Sequence, residues 1–203
     1  MDRKEKWNER YRGGRHAQRD PSEILIRWEP ELPKGRALDL ACGAGRNSIY
    51  LAKKGYSVNA IDYSDEALKI AQERAEGEGV EVNWIRADLN EHDLPEEAYD
   101  LVLVSHLHPE DNLEKIKRAV KPGGAIVYEH HVNVDEPMLR GPSDSDILFE
   151  PNELLNLFSD FQILEYREGI EEREDGDKSA LAKLVAVKTD SSGRGLFPFP
   201  EGL

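Results

Sequence analysis

Between residues 36 and 130, short apolar runs alternate with amphipathic segments, and this alternation limits the fold more than any other feature of the chain. The apolar runs are "RALDLA" at 36–41, "SVNAI" at 57–61, and the stretches 80–86, 99–105 and 124–130. Each is too short for a helix and is bounded by breakers, which is the signature of a buried strand. The segments between them, 46–54, 64–79 and 110–120, carry helical spacing. In "SDEALKIAQERAEGEG", Ser64 is placed to cap the helix, Asp65 and Glu66 favour its positive end, and Gly77 and Gly79 stop it. A strand–helix–strand repeat of this kind predicts a parallel sheet covered by helices on both faces.

The flanks read differently. Residues 3–12 place Trp7 and Tyr11 on one helix face. Ser22 heads a short helix over about 23–29, which Pro30 and Pro33 end. "KPGG" reads as a turn before the strand at 124–130. Residues 131–150 read as a long loop, with Met138, Leu139, Ile147 and Phe149 giving it the mixed polarity of a substrate lid. A helix restarts in "EPNELLNLFSD", and strands at 161–169 and 179–188 form an antiparallel hairpin at one sheet edge. In the tail, "TDSSGRGLFPFPEGL", breakers preclude a regular element, although Leu196, Phe197 and Phe199 are suited to packing back. The expected organisation is one domain: a helical cap at 1–34, a core at 35–131, and a substrate loop with the hairpin at 132–203.

Composition narrows the partners. The chain has 203 residues, enough for one sizeable core, and a formal net charge of −14. Such an acidic chain is repelled by phosphate backbones and anionic lipid, so neither nucleic acid nor membrane is expected as a partner. Cys42 is the one cysteine, which precludes an intrachain disulfide. The charged N-terminus lacks the apolar core of a secretory signal, and no apolar run approaches membrane-spanning length. A cytoplasmic location is the expectation.

The chemistry concentrates in "LDLACGAGRNSIYLAKKGYSVNAIDYS". In α/β sheets the ligand sits beyond the carboxyl ends of the strands where strand order reverses, and the first strand-to-helix turn is usually there. Gly43 and Gly45 let backbone approach a ligand. A dinucleotide pattern would run Gly43, Gly45, Ser48, with serine where glycine or alanine allows tight packing. A P-loop would need Lys followed by Ser or Thr, which "GAGRNS" lacks. A carboxylate at Asp39 would repel a pyrophosphate but suits a ligand bearing ammonium and sulfonium charges. Asp62, ending the second strand, suits ribose hydroxyls, a role shared with nicotinamide cofactors. Structural roles compete: Asp39 as a helix cap or a partner of Arg36 or Arg46, Asp62 as an N-cap, Trp7 and Tyr11 as packing.

"LDLACGAGRNS", "AIDYS", "RADL" and "KPGG", in that order and spacing, resemble the class I S-adenosylmethionine-dependent methyltransferases over about residues 36–131. "WNERY" ahead of the glycine loop is loosely similar to small-molecule members such as the tellurite-resistance and thiopurine methyltransferases. The resemblance implies a Rossmann-like, doubly wound, mostly parallel seven-stranded sheet and S-adenosylmethionine as cofactor. It places Ala41, Gly43 and Gly45 along the methionine part, Asp39 near its amino end, Asn47 on the cofactor, Asp62 on the ribose and Tyr63 beside the adenine. It gives Ala87, Asp88 and Leu89 the adenine edge, and sets Ser105 and His106 near the transferred methyl, with Trp7 and Tyr11 closing the pocket. Ala41 stands where many members carry glycine, and its small size predicts little consequence.

His106 and His108 share a face while the chain stays extended, and His130 and His131 end the next strand. Three or four imidazoles converging over the methyl would act as a general base (His106, His108 and His131 are the candidates) or hold a metal; local hydrogen bonding is the competing role. The expected reaction is in-line methyl transfer to a small-molecule acceptor, with no metal. An NAD-dependent oxidoreductase and a non-catalytic S-adenosylmethionine-binding protein are the competing functions.

Overall fold

The computed structural model describes residues 3–14, 20–109, 112–134, 147–172 and 177–189. Among these, seven strands form one sheet in the order β3-β2-β1-β4-β5-β7-β6. The strands are β1 (Arg36–Leu40), β2 (Ser57–Asp62), β3 (Asn83–Arg86), β4 (Tyr99–Ser105), β5 (Val120–His131), β6 (Gln162–Glu172) and β7 (Lys178–Val187). The helices are α1 (Arg3–Arg12), α2 (Glu23–Trp28), α3 (Arg46–Lys53), α4 (Asp65–Glu78), α5 (Leu113–Ala119) and α6 (Glu153–Leu157). Strands β1 to β5 pair in parallel. Strand β7 then pairs antiparallel with both β5 and β6, so the hairpin ends the sheet with its later strand on the inside.

Period-two alternation divides the strand side chains between two cores. Ala37, Leu101, Leu103, Ala125, Val127 and Val185 face α2, α3 and α4 and pack with Ile24, Leu25, Trp28, Leu51 and Leu68. Leu38, Leu40, Val102, Val104, Ile126, Tyr128 and Leu184 face α5 and α6 and pack with Ile116, Leu154, Phe158 and Phe161. Both faces are covered, which is why the strands read as continuous apolar runs. The strand order reverses beside β1, which pairs with β2 on one side and β4 on the other, so a crevice opens at the carboxyl ends of these strands.

Two expectations change in detail. "KPGG" lies inside β5: Tyr99 pairs with Val120 and Leu101 with Ala125, so β5 bulges out within the ladder. Gly123 supplies the required left-handed backbone at φ +78°, and Lys121 closes the bulge on Asp100 at 2.8 Å. Strand β3 begins at Asn83, later than the apolar pattern suggested. The lid residues Met138 and Leu139, and the tail residues Leu196, Phe197 and Phe199, lie outside the described residues.

Ala41 matters for its backbone, and size does not capture this. It sits at φ +55°, where a Cβ clashes with its own peptide group. Glycine at this position removes the clash. Ala41→Gly is expected to raise stability by about 1 kcal/mol, net of the extra chain entropy. Urea unfolding would show it as a higher midpoint at constant m-value; an equal or lower midpoint would count against the strain.

Candidate active site

The turn after β1 is tied to β2 by two contacts, and the second acceptor also holds the residue that begins α4. Cys42 N–H donates to the Ile61 carbonyl at 3.1 Å. Gly43 N–H donates to Asp62 Oδ2 at 2.8 Å, and Ser64 N–H donates to Asp62 Oδ1 at 2.8 Å. The Asp62 carboxylate thus clamps the glycine loop to the entry of α4, where Ser64 Oγ accepts from Ala67 N–H at 3.2 Å as a true N-cap. Burial raises the Asp62 pKa, while the backbone N–H groups pull it back. Each carboxylate oxygen offers two acceptor positions, so ribose hydroxyls fit alongside these bonds.

The two glycines are required by neighbours within the chain. A Cβ on Gly43 would fall 2.4 Å from the Tyr11 hydroxyl, and one on Gly45 would fall 2.6 Å from the Trp84 ring. Tyr11 therefore lies against the loop from α1, with the Trp7 ring centroid 6.1 Å from its own. Helix α1 is fastened to the start of α4 by Ser64 Oγ donating to Asn8 Oδ1 at 2.7 Å, by Lys4–Asp65 at 2.7 Å and by Arg12–Glu66 at 3.0 Å.

Asp39 lies under the loop. It is 1% exposed, and Oδ2 accepts from Ser48 Oγ at 2.5 Å. That bond explains serine at the third position of the glycine pattern: its hydroxyl holds α3 to β1. Oδ1 is buried and has no hydrogen-bond partner. Burial pushes the Asp39 pKa up to about 7, against the Ser48 bond and the positive charge of Arg46. A buried carboxylate lacking a partner on one oxygen is what a cationic ligand would satisfy and a pyrophosphate would aggravate. On that observation the residues fit S-adenosylmethionine better than a dinucleotide.

Beyond the ends of β4 and β5 lies a buried polar network, part of which the sequence did not disclose. Asn47 Nδ2 donates to Ser105 Oγ at 3.2 Å, and Asn47 Oδ1 accepts from Ser22 N–H at 2.9 Å. Ser22 Oγ donates to Glu129 Oε2 at 3.1 Å. Glu129 also faces Arg46 at 3.5 Å, His106 Nε2 at 3.4 Å and Lys183 at 3.7 Å. Lys183 in turn pairs with Glu171 at 2.5 Å. The signal for Glu129 and Lys183 was a single charge inside each of "GAIVYEHH" and "ALAKLVAV", runs otherwise rich in apolar residues.

The four histidine rings form one row, with His131 and His130 centroids 6.0 Å apart and His130 and His108 centroids 5.9 Å apart, and His106 at the end beside His131. His106 adopts φ +57°, which breaks the extended chain and removes the shared face expected with His108. His106 stacks on His131 at 4.9 Å between centroids, on the Glu129 side. His108 and His130 also pack on Phe149 at 5.0 and 5.1 Å. His130 Nε2 lies 2.7 Å from the Ile147 carbonyl, and burial pushes its pKa down to about 4, so the neutral ring donates that bond. With the Val132–Phe149 bridge, this pins both ends of the segment between them. Among the described residues, no three His, Cys, Asp or Glu side chains form a metal-holding group.

Other expected contacts are more peripheral. Tyr63, Ala87 and Leu89 are half-buried, and Ala87 N–H donates to the Asp62 carbonyl at 3.1 Å. Asp88 is exposed and accepts from Asn90 N–H at 2.9 Å in a local turn. A wide groove of about 750 Å³ opens elsewhere, where β2 and β3 begin, lined by Tyr56, Val58, Glu76, Val80 and Trp84. It contains none of the loop or network residues above.

Comparison with known proteins agrees with this geometry. Residues 37–124 match the family model described as a methyltransferase domain. The chain is 27% identical over 151 residues to the probable S-adenosyl-L-methionine-dependent methyltransferase TehB of Haemophilus influenzae, covering 71% of this chain and 52% of that one. It is 34% identical over 119 residues to glycine N-methyltransferase of Rattus norvegicus, covering 47% and 40%. The crystal structure of TehB from Haemophilus influenzae superposes with a TM-score of 0.74 at 25% identity, covering 90% of this chain and 67% of that chain. The chain spans about half the length of the curated relatives it matches. In sequence over residues 37–124 and in fold, the chain is similar to S-adenosylmethionine-dependent methyltransferases.

The raised pKa of Asp39 has a signed consequence. The folded state holds a proton on Asp39 up to about pH 7, whereas the unfolded chain releases it near its ordinary value of 3.8. Stability therefore falls as pH rises through that window, and the loss is complete above the folded pKa. Asp39→Asn keeps an oxygen for Ser48 and carries no charge. Its Tm relative to the native chain is expected to rise by about 3–10 °C between pH 5 and pH 8. Differential scanning calorimetry at the two pH values checks this, and a constant difference would mean the buried charge is compensated.

Proposed function

We propose that this chain transfers a methyl group from S-adenosylmethionine to a small-molecule acceptor by in-line displacement. The observation that carries the cofactor reading is the pair of buried carboxylates at the switch point. Asp39 has an unpaired oxygen suited to a cation, and Asp62 retains acceptor capacity beside the glycine loop. When bound, S-adenosylmethionine supplies a methyl group on a positively charged sulfur, already activated for displacement.

The chain's own residues then bind, orient and exclude water. Asp39 balances the positive charge of the methionine end, with Ala41, Gly43, Gly45 and Asn47 beside it. Asp62 takes the ribose hydroxyls, and Tyr63, Ala87, Asp88 and Leu89 flank the adenine. Tyr11 and Trp7 cover the loop from α1. Ser105, His106 and His131 are assigned to the acceptor end, and His106 is the candidate base, with His108 packed on Phe149 and His130. Alignment of reactants alone supplies roughly 7–11 kcal/mol of barrier lowering in well-oriented systems. Support for a small acceptor comes from the name of the rat relative, which acts on glycine, and from the net charge of −14, which disfavours polyanions.

Two measurements test the reading. S-adenosylhomocysteine is expected to raise the Tm, whereas NADH is not; the reverse result would replace the methyltransferase with an oxidoreductase. Asp62→Ala is expected to weaken S-adenosylhomocysteine binding at least about tenfold by calorimetry, through lost charged hydrogen bonds and a loosened loop. An unchanged affinity would refute the role given to Asp62. Transfer of labelled methyl across a panel of amines, phenols, thiols and tellurite then identifies the acceptor; no transfer to any of them, despite cofactor binding, would favour a non-catalytic binder.

A further inference from the structure

Glu129 is a site in its own right. It is 6% exposed, and four separate parts of the chain direct polar groups at it. They are Ser22 ahead of α2, Arg46 at the start of α3, His106 after β4 and Lys183 on β7, while His131 stacks on His106 from the end of β5. A buried carboxylate is costly unless paired, and here two cations and a hydroxyl meet that cost without the imidazole. The imidazole is therefore additional to what Glu129 needs for its own stability. The backbone is also arranged for it: His106 takes a left-handed conformation, and its N–H donates to the Glu129 carbonyl at 2.8 Å. Left-handed backbone in a residue with a Cβ persists only where the surroundings enforce it.

We propose that Glu129 is a positioning residue for His106. It holds the ring with Nε2–H toward the carboxylate and stabilises the imidazolium formed when the ring takes a proton from the methyl acceptor. The acceptor is then a molecule whose accepting atom carries a proton at neutral pH, an amine or a hydroxyl. This rests on the methyltransferase reading. The balance is closed: the acceptor's electron pair forms the new bond to carbon as the carbon–sulfur bond breaks onto sulfur. The acceptor's proton passes to Nδ1, the ring nitrogen turned away from Glu129; Nδ1 is buried in this structure, so the acceptor displaces the groups that cover it, and water removes the proton once the product has left. An acceptor that is already an anion, such as a thiolate, has no proton to give and would leave the pair without a task.

The charged and titratable groups facing His106 are Glu129 and His131 on β5, with Arg46 on α3 and Lys183 on β7 across the carboxylate. Glu129 is the one that favours the imidazolium, and the other three oppose it when charged. Nitrogen-15 NMR of the native chain, with His106 assigned through His106→Asn, reads both tautomer and titration without any acceptor. The neutral ring is expected as the Nε2–H tautomer. In Glu129→Gln the His106 midpoint is expected to fall by about one pH unit or more, with Glu129→Asp between the two. The Nδ1–H tautomer, or a midpoint unmoved by Glu129→Gln, would overturn the proposal. Should Glu129→Gln fail to fold, Lys183→Met replaces it: loss of the opposing cation is expected to raise the midpoint, and no rise would overturn the proposal.

Affinity for S-adenosylhomocysteine, measured on the same samples, is expected to stay within about twofold in Glu129→Gln, since Glu129 acts at the acceptor end. Absence of binding by the native chain would remove the methyltransferase reading and the acceptor class with it, whatever the titration shows. Once an acceptor is in hand, Glu129→Gln is expected to lower kcat at least about tenfold with KM nearly unchanged and to move the acid limb of the pH profile. A loss confined to KM would instead make Glu129 a binding group and overturn the positioning role.

Discussion

One carboxylate, that of Asp62, holds the N–H groups of Gly43 and Ser64, and the geometry of the crevice depends on those two bonds. Gly43 belongs to the turn that leaves β1, and Ser64 begins α4 after β2. Without a common acceptor, the two turns would each present an unpaired buried N–H, at a cost of about 1–3 kcal/mol apiece. With it, the ends of β1 and β2 stay in register beyond their last ladder bond. Helix α1 then docks on what Asp62 has fixed: Asn8 bonds Ser64, and Tyr11 lies on Gly43. The loop, the cap and the covering helix are thus successive consequences of one buried acid.

Three acids are buried at this end of the sheet, and each is accommodated by different means. Asp62 relies on backbone N–H groups. Glu129 relies on Arg46, Lys183 and Ser22. Asp39 has Ser48 alone on one oxygen and nothing on the other, which leaves it the least compensated of the three. In a low-dielectric interior the least compensated charge gains most from an opposite charge that arrives from outside. The chain therefore presents an incomplete ion pair at Asp39 and a complete one at Glu129. That asymmetry suits a reaction in which the cation is delivered and the acceptor is neutral.

Much of this was legible in the amino-acid order because it is local. The runs "RALDLA" and "SVNAI" declare strands by length and bounding breakers, and Ser64 declares a cap by standing before Asp65 and Glu66. Gly43, Gly45 and Asp62 are readable together because a strand–turn–helix unit fixes their relation within a few residues. Glu129 and Lys183 were passed over for the opposite reason. Their partners Ser22 and Glu171 sit on other elements, and the bond from Ser22 to Glu129 spans 107 positions in the chain. A charge inside an apolar strand announces only that something must pair with it. Ala41 shows a second limit: its side-chain volume is visible in sequence, whereas its φ of +55° is a property of the turn. His106 shows the same limit, since extended spacing would place it with His108 and one left-handed residue separates them.

The position of β7 decides what the last third of the chain contributes. If the hairpin had added its strands in sequence order, β6 would lie against β5, and Lys183 would stand on the edge strand, farther from Glu129. Because β7 is the inner strand, Glu129 and Lys183 face each other directly across the ladder. The antiparallel sense matters equally: it brings the beginning of β7 to the carboxyl end of β5, where the crevice opens. On the Lys183 face the strand runs toward the crevice through Leu181 to Ser179, and Glu171 reaches over from β6 to Lys183. The hairpin therefore supplies the cation that allows an acid to be buried beside His106, and the carboxyl-terminal strands become part of the polar network as much as part of the scaffold.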